Sequence, residues 1–431
     1  MAMGTPCAGR WFAGALAALC APSLLAAETF DVSAYEKQPY ELKGYVEARG
    51  ERLRLDPDTA GYALQFPGMT AREATRGAAL AEITGLFRYE TLTLVATGRL
   101  TYVDDARESI DDARFLESYA SWSPNAQTTL ELGKRALRWG KGYAWNPVAF
   151  LERPKDPLDP DFAREGFTIA AVDLVRSFPD QVVTNAALSA VVLPVTGDLN
   201  DTYGPATHGN PAAKVYLLAA DTDIDVVYAA NGSRGQRYGF DFSRNITSNL
   251  EVHGEWAHLT DVSQPLLGAS GAITTRTLDA SSWLLGLRYL SEHETTIIAE
   301  VYHNGAGYGD DELADYYAAV GAAAAIGDAQ RLAQLRQAGA LGYARPSPAR
   351  DYGYLRVSQK EPFDWLYFTP ALTVIGNLGD GSYTMIPELV YAGFDDVELR
   401  LRLQASGGGA RTEYGEKPIS NRVELRLRVF F

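Results

Sequence analysis

The sequence predicts an all-β fold: one transmembrane antiparallel β-barrel of about 18 strands, wound up and down. Three observations predict it. First, the last eleven residues alternate throughout. Val423, Leu425, Leu427, Val429 and Phe431 fall on one face of an extended strand, and Arg422, Glu424, Arg426, Arg428 and Phe430 on the other, because strand side chains alternate with period two. Second, past residue 27 no run approaches the roughly 18 apolar residues of a spanning helix. Lipid then admits only a closed sheet, in which every backbone group is paired. Third, two-faced alternation recurs along the whole chain between turn residues.

The alternating segments lie at 40–52, 76–89, 91–104, 113–123, 127–139, 166–178, 181–194, 212–221, 223–231, 235–245, 248–260, 279–291, 294–305, 351–361, 364–376, 382–394, 396–407 and 421–431. Connections after even-numbered segments are short. Those after odd-numbered segments are often long, the longest being 53–75, 140–165, 195–211, 261–278, 306–350 and 408–420. Short turns therefore gather at one rim, with both termini, and long loops at the other. Sixteen strands is the alternative count, segments 8 and 9 being the least marked. Leu42, Gly44, Val46 and Ala48 oppose Lys43, Tyr45, Glu47 and Arg49; Leu92, Leu94, Ala96, Gly98 and Leu100 oppose Thr93, Val95, Thr97, Arg99 and Thr101; Val397, Leu399, Leu401 and Leu403 oppose Glu398, Arg400, Arg402 and Gln404. A charge at a lipid-facing midplane position costs about 2–4 kcal/mol, so the charged faces must point inward. Trp122, Trp139, Trp256 and Trp365 sit near segment ends and are expected in interfacial belts.

Residues 1–27 read as a secretory signal peptide, with the single cation Arg10, an apolar stretch, and small residues at Ala26-Ala27. This leaves 28–431 as one barrel domain. Cys7 and Cys20 both fall in the leader, so the mature chain has no thiol for catalysis or metal binding. That suits an oxidising compartment. Cleavage takes the formal net charge from -15 to -16. Such an acidic balance excludes nucleic acid, which needs a basic footprint.

Three features are candidates for function. If the sheet closes, the last two strands and the first bring Lys43, Arg49, Arg400, Arg402, Arg426 and Arg428 together with Glu47, Glu398 and Glu424, and Arg99 and Arg135 extend the set. A local cationic excess between low-dielectric walls attracts anions, and the arginine fork suits carboxylate or phosphate. A salt-bridge ladder that stiffens the seam is the alternative. The second feature is the segment from Gly133 to Gly166, with Trp139-Gly140, Asn146-Pro147 and a loop stiffened by four prolines. Lys141, Tyr143, Trp145, Asn146, Arg153 and Lys155 are expected to fold inward as an eyelet, or else to form a rigid surface loop. The third is 306–350, where the Ala-rich stretch 311–340 reads as a helix of about 25 residues. It is expected to act as a lid lined by Tyr316, Tyr317, Arg331 and Arg336, or to rest outside the mouth. Glu251, His253 and Glu255 share a strand face and have the chemistry of a metal or acid–base site. No triad, helical His-x-x-x-His pair or phosphate-binding loop accompanies them, so neither an enzyme nor a cofactor or metal is expected.

The terminal strand resembles the closing-strand signal of bacterial outer-membrane barrels, whose final residue is typically Phe. That resemblance implies that Phe431 is read by the family's assembly machinery. The 133–166 segment resembles uncharacterised proteobacterial porin-like proteins and has the general look of alginate-export-like barrels, which have 18 strands and an arginine-lined lumen. The resemblance implies the outer membrane of a Gram-negative bacterium and passive diffusion of small hydrophilic solutes, with a bias toward anions. Its partners would be outer-membrane lipid, the barrel-assembly machinery and a small anionic or polar solute, with a monomer favoured over a trimer. A polysaccharide exporter of the alginate type is one alternative. Another is a surface enzyme or adhesin anchored by a closed barrel.

Overall fold

The computed structural model describes residues 38–105, 107–160, 162 and 164–431; the signal-peptide reading lies outside them. Eighteen antiparallel strands form one sheet. They are β1 (Tyr40–Leu55), β2 (Glu73–Tyr89), β3 (Leu92–Asp104), β4 (Ser109–Asn125), β5 (Thr128–Arg135), β6 (Phe167–Ser177), β7 (Val183–Val192), β8 (Pro211–Ala219) and β9 (Thr222–Ala229). β10 (Arg237–Thr247), β11 (Leu250–Leu267), β12 (Ile273–Leu290), β13 (Thr295–His303), β14 (Asp351–Gln359), β15 (Phe368–Asn377), β16 (Tyr383–Phe394), β17 (Val397–Gly407) and β18 (Ile419–Phe430) complete it. Each strand pairs with its sequence neighbours, and β1 pairs with β18, so the sheet closes. Tyr45 lies opposite Phe430. Gly44 and Phe431 exchange both backbone hydrogen bonds at 2.9 and 3.0 Å. That junction needs glycine, because a Cβ on Gly44 would stand 2.3 Å from the Glu82 carbonyl oxygen. β8 and β9 are separate strands joined by Ala220-Asp221, both in the left-handed region that suits a two-residue hairpin. The count is therefore eighteen.

The alternation places side chains as the sequence implies. Val423, Leu425, Leu427 and Val429 are exposed on the outer face, whereas Glu424 and Arg426 are buried inside. Three expectations about the elements need correction. β5 stops at Arg135 rather than 139, and Trp139 is buried inside instead of joining a belt, its backbone N–H donating to the Glu152 carboxylate. Trp122 and Trp365 are exposed. The loop expected at 261–278 shrinks to 268–272, because β11 and β12 run on as a hairpin past a register shift between Leu259 and Val262.

The third correction concerns the stretch 311–340, which is not one helix. With a short helix α1 (Ala60–Gln65) in the first loop, the long loop carries α2 (Asp310–Ala325), α3 (Ala329–Ala338) and a π-turn at Gly339–Tyr343. Gly327 at φ +67° ends the first, and Asp328 caps the second by accepting the Arg331 N–H at 2.9 Å. Besides a small cluster of Leu53, Leu55, Tyr62 and Phe66, the inner apolar mass has two parts. One packs residues of the 136–166 loop, such as Val148 and Phe150, on β6 to β11. The other joins Trp145 to the lid residues Leu313, Tyr316, Val320, Leu335 and Tyr343.

Candidate functional site

At the closure, the inward faces of β16, β17, β18 and β1 form an ion-pair ladder. Arg428 holds Glu47 at 2.6 Å, and Arg49 takes the other oxygen of that carboxylate at 2.7 Å. Arg400 bridges Glu398 at 3.0 Å and Glu388 at 3.5 Å. Arg426 pairs with Glu424 and, at 3.0 Å, with Asp159, which also meets Arg402 at 3.6 Å. Arg422 reaches Glu424 at 3.9 Å. Beyond β1 the ladder continues. The Arg428 guanidinium lies 4.2 Å over the Tyr45 ring, the Tyr45 hydroxyl donates to Glu82 at 3.2 Å, and Arg99 donates twice to Glu82 at 3.0 and 2.6 Å.

Two of the expected members are elsewhere. Lys43 stands exposed at the start of β1 beside Glu41, 3.5 Å away. Arg135 pairs with Glu131 on its own strand and covers the Tyr119 ring at 5.2 Å. Asp159 and Glu388 were not anticipated, and Arg422, though read on the charged face of the last strand, was not among the expected set. The seam thus sets the guanidiniums of Arg49, Arg400, Arg402, Arg422, Arg426 and Arg428 against the carboxylates of Glu47, Asp159, Glu388, Glu398 and Glu424. Glu51, buried on the same face of β1 and held by Arg76 of β2 at 3.3 Å, adds a sixth carboxylate, so these six guanidiniums face six acids and the expected excess of three is absent.

The 136–166 loop enters the barrel and is fixed on the wall of β10 to β13 by its backbone. The Glu255 carboxylate accepts the N–H groups of Lys141 at 2.6 Å, Gly142 at 2.7 Å and Val148 at 3.2 Å, and the Asn146 amide at 3.3 Å. Glu300 accepts those of Tyr143 at 2.5 Å and Ala144 at 2.8 Å, and lies 3.0 Å from His253 Nε2. This wrap explains Gly140. Its φ is +93°, and a Cβ there would lie 2.8 Å from Glu255. Lys141 turns to Asp225 at 2.9 Å, and Lys155 donates to the Gly142 and Tyr143 carbonyls. Trp145 stacks on Tyr302 at 5.2 Å and donates to Ser347 of the lid loop at 2.8 Å. The loop then crosses to the seam. There the Leu158 carbonyl and the Asp159 carboxylate meet Arg402 and Arg426. It returns past Phe162, under Arg99 at 4.0 Å. Glu251, His253 and Glu255 are thus turned toward holding a loop, and among the described residues no acid–histidine group is arranged for a metal.

Above this loop, the β11–β12 hairpin supports the lid. The Tyr308 hydroxyl donates to the Pro265 carbonyl at 2.8 Å, the Leu267 N–H to the Tyr343 hydroxyl at 2.9 Å, and Arg276 to Glu312 at 2.5 Å. Tyr316 is buried in a stack with Tyr343, their ring centres 4.2 Å apart. Arg331 donates to the Gly271 carbonyl, and Arg336 to that of Leu64 in α1 at 2.8 Å, so these two tie the lid to neighbouring loops. Tyr316, Tyr317 and Arg336 border a cavity of about 500 Å³. It shares Gln65, Glu413, Lys417 and Pro418 with a second cavity of about 250 Å³, which reaches Leu158, Gln404 and Arg422. The first cavity lies among the long loops, and the second borders Arg422 at the head of the arginine ladder.

No protein-family model matches the chain, and no curated protein matches it. Among solved structures it is similar to Pseudomonas aeruginosa OccK11 (OpdR), at 13% identity, TM-score 0.49, covering 90% of this chain and 96% of that one. OccK5 (OpdH) of the same organism gives 13% and 0.49 over 91% and 97%. A triple mutant of the Rhodopseudomonas blastica porin gives 12% and 0.44 over 91% and 100%. The barrel itself rests on its closed ladder of pairings, not on these likenesses.

Proposed function

We propose that the chain is a bacterial outer-membrane channel through which small hydrophilic solutes diffuse passively, with anions preferred. One observation carries the reading. A closed barrel turns its apolar residues outward and a continuous ladder of arginine–carboxylate pairs inward, which a cylinder between lipid and water requires. The long-loop rim is then extracellular, and the lid and inserted loop narrow the bore from that side. Such narrowing favours small solutes over a polysaccharide chain. Closely spaced guanidiniums can hand an anion from one to the next without trapping it, since each already shares its charge with a carboxylate. Phe431, locked to Gly44 at the seam, is the proposed assembly signal. The chain works as a monomer, and transport needs no cofactor.

Liposome swelling with small sugars separates this reading from a closed anchor barrel, which would pass none. Replacing Arg400, Arg402, Arg426 and Arg428 together by Gln is expected to shift the reversal potential toward cation preference in a planar bilayer. Unchanged selectivity would refute the anion preference.

A further inference from the structure

A second group of arginines lies away from the seam, on the lumen side of the long-loop rim. Arg237 opens β10. Tyr238 beside it is exposed on the outer face, so period two turns Arg237 inward. Its Nε is buried without a hydrogen-bond partner. Arg234 lies 4.1 Å over the Tyr203 ring and gives its Nε to the Tyr203 carbonyl. Arg153, from the inserted loop, lies 4.7 Å over the Phe167 ring, and its Nε is also buried and unpartnered. Phe167 and Tyr203 meet edge to face at 5.4 Å, so the two guanidiniums are stacked on one aromatic pair. Burial, together with the charges of Arg237, Arg345 and Arg153, lowers the Arg234 guanidinium to about 10.

This group differs from the seam in what it lacks. Among the described residues, no carboxylate pairs with Arg234, Arg237 or Arg345. Arg153 has one long contact, 3.6 Å to Glu165, an acid already engaged by Lys134 and by Arg114 at 3.3 Å. Gathering like charges out of water is unfavourable unless an anion joins them. Stacking fixes the guanidinium planes of Arg153 and Arg234 and leaves terminal donors at their edges, the geometry that receives a multi-oxygen anion. Separate segments deliver these side chains: the inserted loop brings Arg153, the β9–β10 connection Arg234 and the start of β10 Arg237.

We propose that Arg153, Arg234 and Arg237 form a binding site for a soluble phosphate-ester anion at the long-loop mouth. It rests on the water-filled lumen of the proposed function, yet its binding is measurable without any current. The site captures a doubly charged solute before the ladder, and because Arg237 faces the lumen the ligand is a solute rather than a lipid headgroup.

The test is calorimetric titration of inorganic phosphate and glycerol phosphate into the full chain in detergent, with chloride and a short-chain phosphatidic acid as comparisons. The wild type is expected to bind both soluble phosphates and to favour them over the lipid. Arg234→Gln with Arg237→Gln is expected to weaken binding at least tenfold, and the partly exposed Arg153→Gln three- to tenfold, while Arg411→Gln on another loop changes nothing. If the double variant does not fold, the Arg153→Gln result decides. Phosphate binding no stronger than chloride, affinity unchanged in the variants, or preference for the lipid would overturn the proposal. Loss of conductance with phosphate binding intact would refute the channel reading and leave this site standing.

Discussion

On the wall of β10 to β13 the carboxylates hold backbone, whereas on the wall of β16 to β18 and β1 they hold guanidiniums. Glu255 and Glu300 accept five main-chain N–H groups between them, at 2.5 to 3.2 Å. Each such bond to a charged acceptor contributes about 1.5–3 kcal/mol. The donors are part of the chain's path and cannot swing away, so this wall fixes where the loop lies. The seam acids Glu47 and Glu398 meet the ends of flexible side chains that remain partly exposed. The Arg400–Glu398 pair, partly exposed on both sides, is weak, near 0–1 kcal/mol, and exchanges readily, whereas Glu47 is buried between its two arginines. The same residue type thus serves as a fastener on one side and as an exchangeable counter-ion on the other.

Replacing Glu255 and Glu300 by Ala breaks the fastener and should have the largest effect. Proteolysis within 136–166 is expected to accelerate more than tenfold, with flickering current, while Glu398→Ala on the opposite wall changes proteolysis little. Equal effects from the two walls would erase the distinction. Deleting 311–340, the next in size, should raise conductance about twofold. No change would place α2 and α3 outside the solute path.

Asp159 is where the fastened loop touches the exchangeable wall, and it sharpens the comparison further. Burial opposes its charge, but Arg426 and Arg402 outweigh burial and hold the carboxyl below its ordinary value of 3.8. Asp159→Asn is expected to raise conductance modestly and strengthen anion preference by removing one of the lumen's negative charges. The smallest effect is that of acid. For a lowered carboxyl, the stabilisation is complete above the unfolded value and is lost as pH falls through the folded one. Conductance at neutral pH should therefore not depend on this contact's titration. The Asn-like state should appear only below pH 3.8, and an Asp159-dependent change between pH 5 and 8 would contradict the pairing.

Much of this was legible in the sequence, because a barrel is nearly a linear code. Alternation gave each strand its faces, and closure follows from an unbroken up-and-down order. So Arg400, Arg402, Arg426, Arg428 and Arg49 could be brought together without coordinates. What failed were positions along a strand and partners off it. Lys43 has the correct face but sits at the rim, and Arg135 found Glu131 four residues away on its own strand. Asp159 stood in the Pro-rich segment, but its partner Arg426 is 267 residues distant. Glu255 and Glu300 escaped notice as anchors because their partners are backbone amides, which carry no side-chain signature; the Gly-Lys-Gly run at 140–142 was the one trace. The lid helix was read too long because alanine masked the stop-and-cap pair Gly327-Asp328.

The most direct measurement is the reversal potential of the purified wild-type chain in a planar bilayer under a potassium chloride gradient. Discrete current steps are expected, with a reversal potential of the sign that chloride sets. Silence, or a potential of the sign that potassium sets, would contradict a wet lumen governed by its arginine wall.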